Sequence, residues 1–229
     1  ALKLQATHLY DGNLLFHRGR FQRLQSYRSL HATSCDADLA SDGATEWFGT
    51  YMPRDLCLGD PAARDAAIHA IQACIPHARL LPVGVDRIHA GLLDAAQPHR
   101  VQAKEISQEG DESVYNLRIE DNSGRLVELW EGLRLRRMER ISHPHAWQPE
   151  LFGAYAERRL RELVGNRQAR LAVLRDYPHT SDDTTQAALR QAVGGPVTVW
   201  RRGDGRPQVQ PGQGAGSVSA SHAQGITLA

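Results

Sequence analysis

The sequence predicts an α+β fold in which one long central helix is wrapped by a curved antiparallel sheet, followed by a smaller α+β unit. Residues 60–76 open on Asp60-Pro61 and then repeat apolar residues at helical spacing. Residues 113–138 have the pattern of two apolar-rich strands around a glycine-containing turn. Residues 171–200 run strand, helix and strand, which predicts the second unit.

Charge and cysteine usage exclude several classes of protein. The 229 residues carry 27 basic and 26 acidic side chains, so the net charge of +1 favours neither nucleic acid nor a membrane surface as a partner. No apolar run approaches the roughly 20 residues of a spanning helix, and the start lacks a signal-peptide pattern. Cys35, Cys57 and Cys74 form no C-x-x-C pair, which argues against a disulfide framework and a zinc site. We therefore expect a cytoplasmic protein.

The first segment, residues 9–24, has the composition of loop and strand. A turn at residues 11–13 precedes a short apolar run, and Gly19 interrupts that run before a strand-like stretch begins at Phe21. His17 lies in this segment, and from the residues alone it is more typical of a surface or capping histidine than of a catalytic one.

The central helix is predicted to begin at Asp60 and to end near Pro76. An Asp side chain accepts orphan N–H groups at a helix start, and a proline at the next position loses no hydrogen bond. At about 100° per residue, one side of the helix is apolar and the other is a polar stripe. The apolar side comprises Ala67, Ile68, Ile71, Cys74 and Ile75, and the stripe comprises Asp65, His69 and Gln72.

The polar stripe has two interpretations. It faces water, as most polar stripes on amphipathic helices do. Alternatively it faces a cleft, because its neighbours are alanines and no lysine or glutamate lies between Asp65 and Cys74, whereas a solvated helix usually carries more charge. In a cleft, an acid and a histidine one turn apart act on the same substrate atom.

The later elements of the first unit are strands. Residues 80–88 have the pattern of a short strand, with Pro82 near its start, which suits a sheet edge. Residues 113–120 and 125–138 are predicted to pair as a β-hairpin around the turn at 121–124.

The composition changes after residue 141. Prolines in residues 142–149 indicate a linker, and residues 151–164 have the pattern of a basic amphipathic helix with Arg158, Arg159 and Arg161 on its exposed side. Such a helix either docks an acidic partner or simply faces solvent. We expect a first domain at 1–140, a linker and helix at 141–168, and a truncated second domain at 169–229. Because the sequence opens on Ala1 and closes on an apolar run, we expect a piece of a longer protein.

Three short segments of the first domain carry motifs of one known family. Residues 65–69, DAAIH, resemble the D-x-x-x-[QH] helix motif of the second hotdog domain of polyketide synthase dehydratases. Residues 16–22, FHRGRFQ, resemble their Y-G-P-x-F segment, and Leu81-Pro82 resembles the Leu-Pro strand that follows the helix. The run from residue 9 to 138 is most similar to enediyne-type iterative synthases.

The resemblance implies dehydration of a β-hydroxyacyl group on the phosphopantetheine arm of an acyl carrier protein. It gives Asp65 the role of the acid that protonates the departing hydroxyl, and His69 that of holding this hydroxyl or orienting Asp65. His17, Phe21, Gln72 and Pro82 would line the substrate site.

The sequence departs from the family pattern at two points. Arg18 and Gly19 stand where the family usually has Gly and Pro. The family's histidine base lies in a first hotdog, in an H-x-x-x-G-x-x-x-x-P motif that this sequence lacks. We therefore expect the N-terminal hotdog of the same synthase to be a partner.

The tail resembles the front of a 4′-phosphopantetheinyl transferase. Gly205-Arg206-Pro207 resembles the G-[KR]-P motif, and the segment that ends in Ser219-Ala220-Ser221-His222 resembles the S-x-S-H motif. The resemblance implies that Arg206, Ser221 and His222 contact coenzyme A. Magnesium is expected for a complete transferase, whose W-x-x-K-E motif and metal-binding acids are not in this sequence. Enediyne-type synthases carry a dehydratase followed by a transferase, so the two resemblances support each other.

Three hypotheses remain open at this point. The first is enzymatic: part of a dehydratase joined to part of a transferase. The second is a non-catalytic hotdog module that binds or shapes a carrier-bound chain. In the third, two copies of the chain pair as a homodimer through exposed strand edges.

Overall fold

The chain divides into two compact units in a computed structural model. The structure describes residues 4–11, 14–43, 47, 56–57, 59–141, 148–164, 171–175, 181–196, 198–204, 207–209, 218–223 and 226–229. One unit spans residues 3–155, and the other comprises residues 1–2 and 156–229. Within the described part of the chain, no helix is long and apolar enough to cross a membrane.

The larger unit is an antiparallel sheet with a helix packed on it. Its helices are α1 (Ala6–Asp11) and α2 (Pro61–His69), with short 3-10 helices at Gly19–Phe21 and Ala70–Cys74. Its strands are β1 (Leu4–Gln5), β2 (Leu24–His31), β3 (Ser34–Leu39), β4 (Ala78–Gly84), β5 (Arg87–His89), β6 (His99–Glu109), β7 (Glu112–Glu120) and β8 (Leu126–Arg140). The sheet order is β1-β2-β3-β6-β7-β8-β4, and β5 also pairs with β8. This is the predicted hotdog arrangement.

Helix α2 starts as predicted but ends earlier. The Asp60 side chain accepts a hydrogen bond from the Ala62 N–H at 2.9 Å, and Pro61 occupies the first turn. The α-helix ends at His69 and continues as a 3-10 helix to Cys74, although the sequence predicts helix to Pro76. Within this 3-10 segment, the side-chain amide of Gln72 bonds to the backbone of Ile75, Ala78 and Leu80.

Small residues bring α2 close to the sheet. Ala63, Ala66, Ala67 and Ala70 have no exposed surface, and the Tyr27 hydroxyl on β2 donates to the Ala70 carbonyl at 2.8 Å. The predicted apolar side is largely buried: Ala67, Ile71, Cys74 and Ile75 are fully buried. Ile68 is the exception, because it is only partly buried and lines the cavity described below.

Two ion pairs fix α2 on the sheet. At its start, Asp60 pairs with Arg23 at 2.9 Å, and both side chains are buried. One turn later, Arg64 holds the fully buried Glu128 of β8 through two guanidinium nitrogens. Removing one member of a buried pair typically costs about 3–5 kcal/mol, because it leaves the other charge without a partner. The two pairs therefore fix the orientation and the position of α2 on the sheet.

The predicted hairpin is present, but the N-terminal segment differs from its prediction. β7 and β8 pair around the turn at 121–124, and β4 is an edge strand that tolerates Pro82. Residues 6–11 are helix α1 and not loop or strand, because Leu9 and Tyr10 are buried in the core while Thr7, His8 and Asp11 are exposed. A 3-10 turn at Gly19–Phe21 delays the strand to Leu24.

The smaller unit contains the predicted strand, helix and strand. Its elements are the second half of α3 (Pro149–Val164), β9 (Val173–Arg175), α4 (Ser181–Val193), β10 (Val199–Arg201), β11 (Pro207–Val209), β12 (Ser221–Ala223) and β13 (Ile226–Leu228). β12, β13 and β9 form one antiparallel sheet, and β10 pairs with β11. The prediction that Arg158 is exposed on α3 is wrong, because its side chain is among the most deeply buried in the chain. Arg159 is exposed and pairs with Glu162 on the next turn of α3.

Candidate active site

The polar stripe of α2 lies beside a small cavity in the larger unit. The cavity has a volume of about 30 Å³, which is room for a water-sized group. It is lined by Phe16, His17, Asp65, Ile68, His69, Gln72, Leu80, Pro82 and Leu135. Of the two interpretations of the stripe, the structure favours the cleft.

The Asp65 carboxylate contacts a histidine from a distant loop. The His17 Nε2 atom lies 2.9 Å from Asp65 Oδ2, and the two side chains are 16% and 37% exposed. The His17 ring centroid is 3.8 Å from that of His69. The sequence places His17 in the substrate site through its resemblance but gives no sign of this pairing, since 48 positions separate the two residues.

His69 is held as a neutral imidazole. Its ring is buried, and Nε2 accepts a hydrogen bond from the Phe16 backbone N–H at 3.4 Å. Burial lowers the pKa of His69 to about 3, and the neighbouring His17 adds to this effect. Because Nε2 is the acceptor, the ring hydrogen belongs on Nδ1, which is buried and has no hydrogen-bond partner among the described residues. The imidazole in direct contact with Asp65 is therefore His17.

Gln72 lines the cavity, but its amide is committed to the backbone. Its Nε2 donates to the carbonyls of Ile75 and Ala78 at 3.2 and 2.6 Å, and its Oε1 accepts from the Leu80 N–H at 2.9 Å. Both N–H groups are used, so Gln72 contacts a substrate only through its carbon atoms or its remaining oxygen lone pair.

The other two predicted substrate residues lie on either side of the His17 loop. Pro82 of β4 lines the cavity. Phe21 is 36% exposed, and its ring centroid lies 6.2 Å from that of His17 and 5.6 Å from that of Trp47. Aromatic surface thus continues from the cavity to the outside of the unit.

Tyr10 is a nearby polar residue that sequence reasoning missed. Its hydroxyl accepts a hydrogen bond from the Leu24 N–H at 3.3 Å, and its ring centroid is 6.4 Å from that of His69. Burial raises the pKa of Tyr10 to about 12, and the negative charge of Asp65 also contributes. Tyr10 is therefore neutral beside the carboxylate. A tyrosine in the short α1 segment carries no sequence signal for this position.

The residues predicted to contact coenzyme A belong to the smaller unit. Arg206 lies outside the described residues. Ser221 and His222 lie on β12, and both His222 ring nitrogens are engaged, with Thr227 Oγ1 at 2.7 Å and Thr185 Oγ1 at 3.0 Å. Among the described residues, no cluster of three His, Cys, Asp or Glu side chains could hold a metal ion.

Comparison with known proteins points to one family. The family model described as the polyketide synthase dehydratase N-terminal domain matches residues 5–144. No curated protein matches the chain.

Several solved dehydratase structures are similar at low identity. The dehydratase domain from the CurJ module of curacin polyketide synthase is 13% identical, with a TM-score of 0.47 over 60% of this chain and 50% of that one. The dehydratase domain of RzxB from Pseudomonas fluorescens is 19% identical, with a TM-score of 0.44 over 58% of this chain and 49% of that one. The chain spans about half the length of these structures.

Proposed function

Since its residues 5–144 match that family model, this chain belongs to the polyketide synthase dehydratase N-terminal domain family, and we propose that its larger unit dehydrates a β-hydroxyacyl thioester. The acyl group would be carried on the phosphopantetheine arm of an acyl carrier protein. The observation that supports this proposal is the Asp65 carboxyl group at a small cavity, paired with one imidazole and close to a second.

The chemistry requires one acid and one base. A base removes the proton from Cα, the Cβ–O bond breaks as the Cα=Cβ double bond forms, and the departing hydroxyl takes a proton and leaves as water. Asp65 is proposed to supply that proton. A cavity large enough for a water-sized group at Asp65 matches the size of the leaving group.

The base is proposed to come from the N-terminal hotdog of the same synthase, because this sequence lacks the H-x-x-x-G-x-x-x-x-P motif. The matched family is described as an N-terminal domain, whereas the Asp65–His69 motif resembles the second hotdog. Placement as the second hotdog is therefore part of the proposal. A homodimer of this chain is the alternative pairing, and sedimentation of the chain with and without the preceding segment separates the two.

The experiment compares this chain with a longer protein that includes the segment before it. Hydration of an enoyl thioester of N-acetylcysteamine is expected only for the longer protein, and Asp65→Asn should abolish it. The matched control is Asp94→Asn, since Asp94 lies in an exposed loop where an asparagine oxygen still accepts from the Ala96 N–H. Full activity of Asp65→Asn would remove Asp65 from the mechanism.

A non-catalytic module is the second candidate, and the missing base motif is the observation that favours it. Such a module would bind an acyl carrier protein carrying a β-hydroxyacyl arm without turning it over. If the longer protein binds the loaded carrier protein but forms no enoyl product, this alternative holds.

We also propose that the chain comes from an enediyne-type iterative synthase whose transferase domain begins in the smaller unit. Support comes from the order of strand, helix and strand and from the motifs that include Arg206, Ser221 and His222. Calorimetric titration of the full chain with coenzyme A, with and without Mg²⁺, tests this. Binding that weakens in Ser221→Ala supports the proposal, and the absence of binding contradicts a coenzyme A site in this chain.

A further inference from the structure

We infer that His17 and Asp65 work as one proton-holding pair, in which His17 supplies the proton that Asp65 passes to the leaving hydroxyl. The inference rests on the proposed dehydratase function and adds to it a residue with a defined task. It starts from the contact between His17 Nε2 and Asp65 Oδ2 at 2.9 Å, which is a hydrogen-bond distance.

Asp65 needs a source for its proton. A carboxylic acid that gives its proton to a leaving group must receive another before the next turnover, so Asp65 needs a donor within hydrogen-bond distance. His17 is the group in contact with its carboxylate, and a histidine is the side chain that holds and releases a proton near neutral pH. In this inference the pair holds one transferable proton between His17 Nε2 and Asp65 Oδ2.

His69 is excluded as that source. Its Nε2 accepts from the Phe16 N–H, and it stays neutral down to pH values far below the working range. It is also buried, whereas the His17 side chain is 16% exposed and so reaches solvent for reprotonation. The two rings therefore have different tasks: His69 is a neutral ring that lines the cavity, and His17 carries the proton.

Substrate binding provides the reason for the proton to move. A bound acyl chain excludes water from the cavity, and a low-dielectric surrounding disfavours the separated charges of an ion pair relative to its neutral form. The proton then passes from His17 Nε2 to Asp65 Oδ2, leaving His17 neutral with its hydrogen on Nδ1. Asp65 gives the proton to the hydroxyl as the Cβ–O bond breaks, and solvent reprotonates Nε2 after water departs.

The other charged and titratable groups around the pair neither donate nor accept the proton that His17 and Asp65 exchange. Tyr10 is neutral, because the pKa of its hydroxyl is raised to about 12. Arg79 stacks 5.3 Å from the Phe16 ring centroid and pairs with Glu139 at 2.9 Å. Arg79 is a permanent cation, so it contributes a constant field and no titration.

The test uses His17→Gln in the longer protein that contains both hotdogs. Glutamine donates an N–H to Asp65 but cannot carry a titrating proton. We expect kcat for dehydration of a β-hydroxyacyl thioester to fall about 100-fold or more with little change in KM, in line with the loss of one acid–base group. The wild-type kcat should decline as pH rises through the range in which histidine loses its proton, and His17→Gln should lack that limb.

The matched control is His89→Gln. His89 Nε2 lies 3.2 Å from Glu131 Oε2, which reproduces the chemistry of the pair on the exposed strand β5. This variant should keep the wild-type kcat and pH profile. Circular dichroism and thermal unfolding of each variant establish that it is folded.

Rescue provides a second measurement, which also applies if His17→Gln is unstable. In His17→Gly, added imidazole should restore activity in a pH-dependent way, whereas 1,3-dimethylimidazolium, which carries a positive charge but no N–H proton, should not. A His17→Gln enzyme with wild-type kcat and an unchanged alkaline limb, or equal rescue by both compounds, would overturn the inference. If the longer wild-type protein does not hydrate the enoyl thioester, the proposed function itself fails. If Asp65→Asn is inactive but the His17 variants keep the wild-type profile, only this inference fails.

Discussion

The ion pair between Arg64 and Glu128 gives the sharpest stability prediction. The Glu128 side chain is fully buried, and it accepts from Arg64 Nε at 3.0 Å and from Trp130 Nε1 at 3.0 Å. Arg64→Met keeps the helix propensity and the apolar stem, but it leaves the Glu128 carboxylate with the Trp130 indole N–H as its remaining side-chain donor among the described residues. We expect the free energy of unfolding to fall by about 3–5 kcal/mol, as for other buried pairs that lose one member.

The double variant Arg64→Met/Glu128→Leu separates two contributions to the free energy of unfolding. One is the net contribution of the ion pair, and the other is the cost of leaving the buried Glu128 carboxylate without Arg64. Replacing both members by apolar groups is often neutral or stabilising, so the double variant should be more stable than Arg64→Met alone. The matched control is Arg134→Met, because Arg134 pairs with the exposed Asp86 and should lose no more than about 1 kcal/mol.

Urea unfolding followed by circular dichroism measures all three variants, with the slope checked for two-state behaviour. The reasoning is refuted if Arg64→Met loses less than about 1 kcal/mol, or if the double variant is less stable than the single one. Either result would mean that the unpaired Glu128 carboxylate is not the main cost of losing Arg64.

Two further predictions concern backbone conformation and pH. Gly59 has φ of +78°, and an added Cβ would lie 2.8 Å from the backbone nitrogen of Leu93, whereas at Gly110 φ is +56° and no atom lies within 4 Å. Gly59→Ala should therefore cost about 1–2 kcal/mol more in urea unfolding than Gly110→Ala, and equal costs would contradict the steric argument. The pKa of His69 is about 3 in the folded chain and 6.5 ordinarily, so below pH 6.5 the unfolded state binds a proton that the folded state does not, and stability falls as pH falls towards 3. Between pH 7 and pH 4.5 the free energy of unfolding should fall by up to about 2–3 kcal/mol because of His69. In urea unfolding, His69→Gln should lose less stability than the wild type over the same pH range, and the difference should be about 2–3 kcal/mol.

Local signals account for the parts of the fold that the sequence predicted well. The start of α2 depends on Asp60 and Pro61, whose effect is confined to one helical turn. The β7–β8 hairpin depends on alternating apolar residues and on Asp121, which binds the N–H groups of Ser123 and Arg125 within the turn. These interactions join residues within a few positions of each other, so the sequence displays them directly.

The candidate site was predicted only in part, because its contacts are long-range. The stripe that contains Asp65 and His69 follows from helical geometry, but its pairing with His17 depends on how the loop before β2 crosses α2. Gln72 looked like a member of the same stripe, yet the change to a 3-10 helix turns its amide to the backbone of residues 75–80. Arg158 looked solvated because arginine usually is, and its burial depends on packing that no spacing reveals.

The alanine face of α2 limits where the cavity beside Asp65 can be enlarged. Ala63, Ala66, Ala67 and Ala70 are fully buried, so larger side chains there would have to displace the helix, and Asp65 with it, from the strands. Leu80, Pro82 and Leu135 line the opposite wall and belong to β4 and β8. Under the proposed function, a cavity for bulkier acyl groups should therefore be made by trimming these strand residues and leaving the helix unchanged.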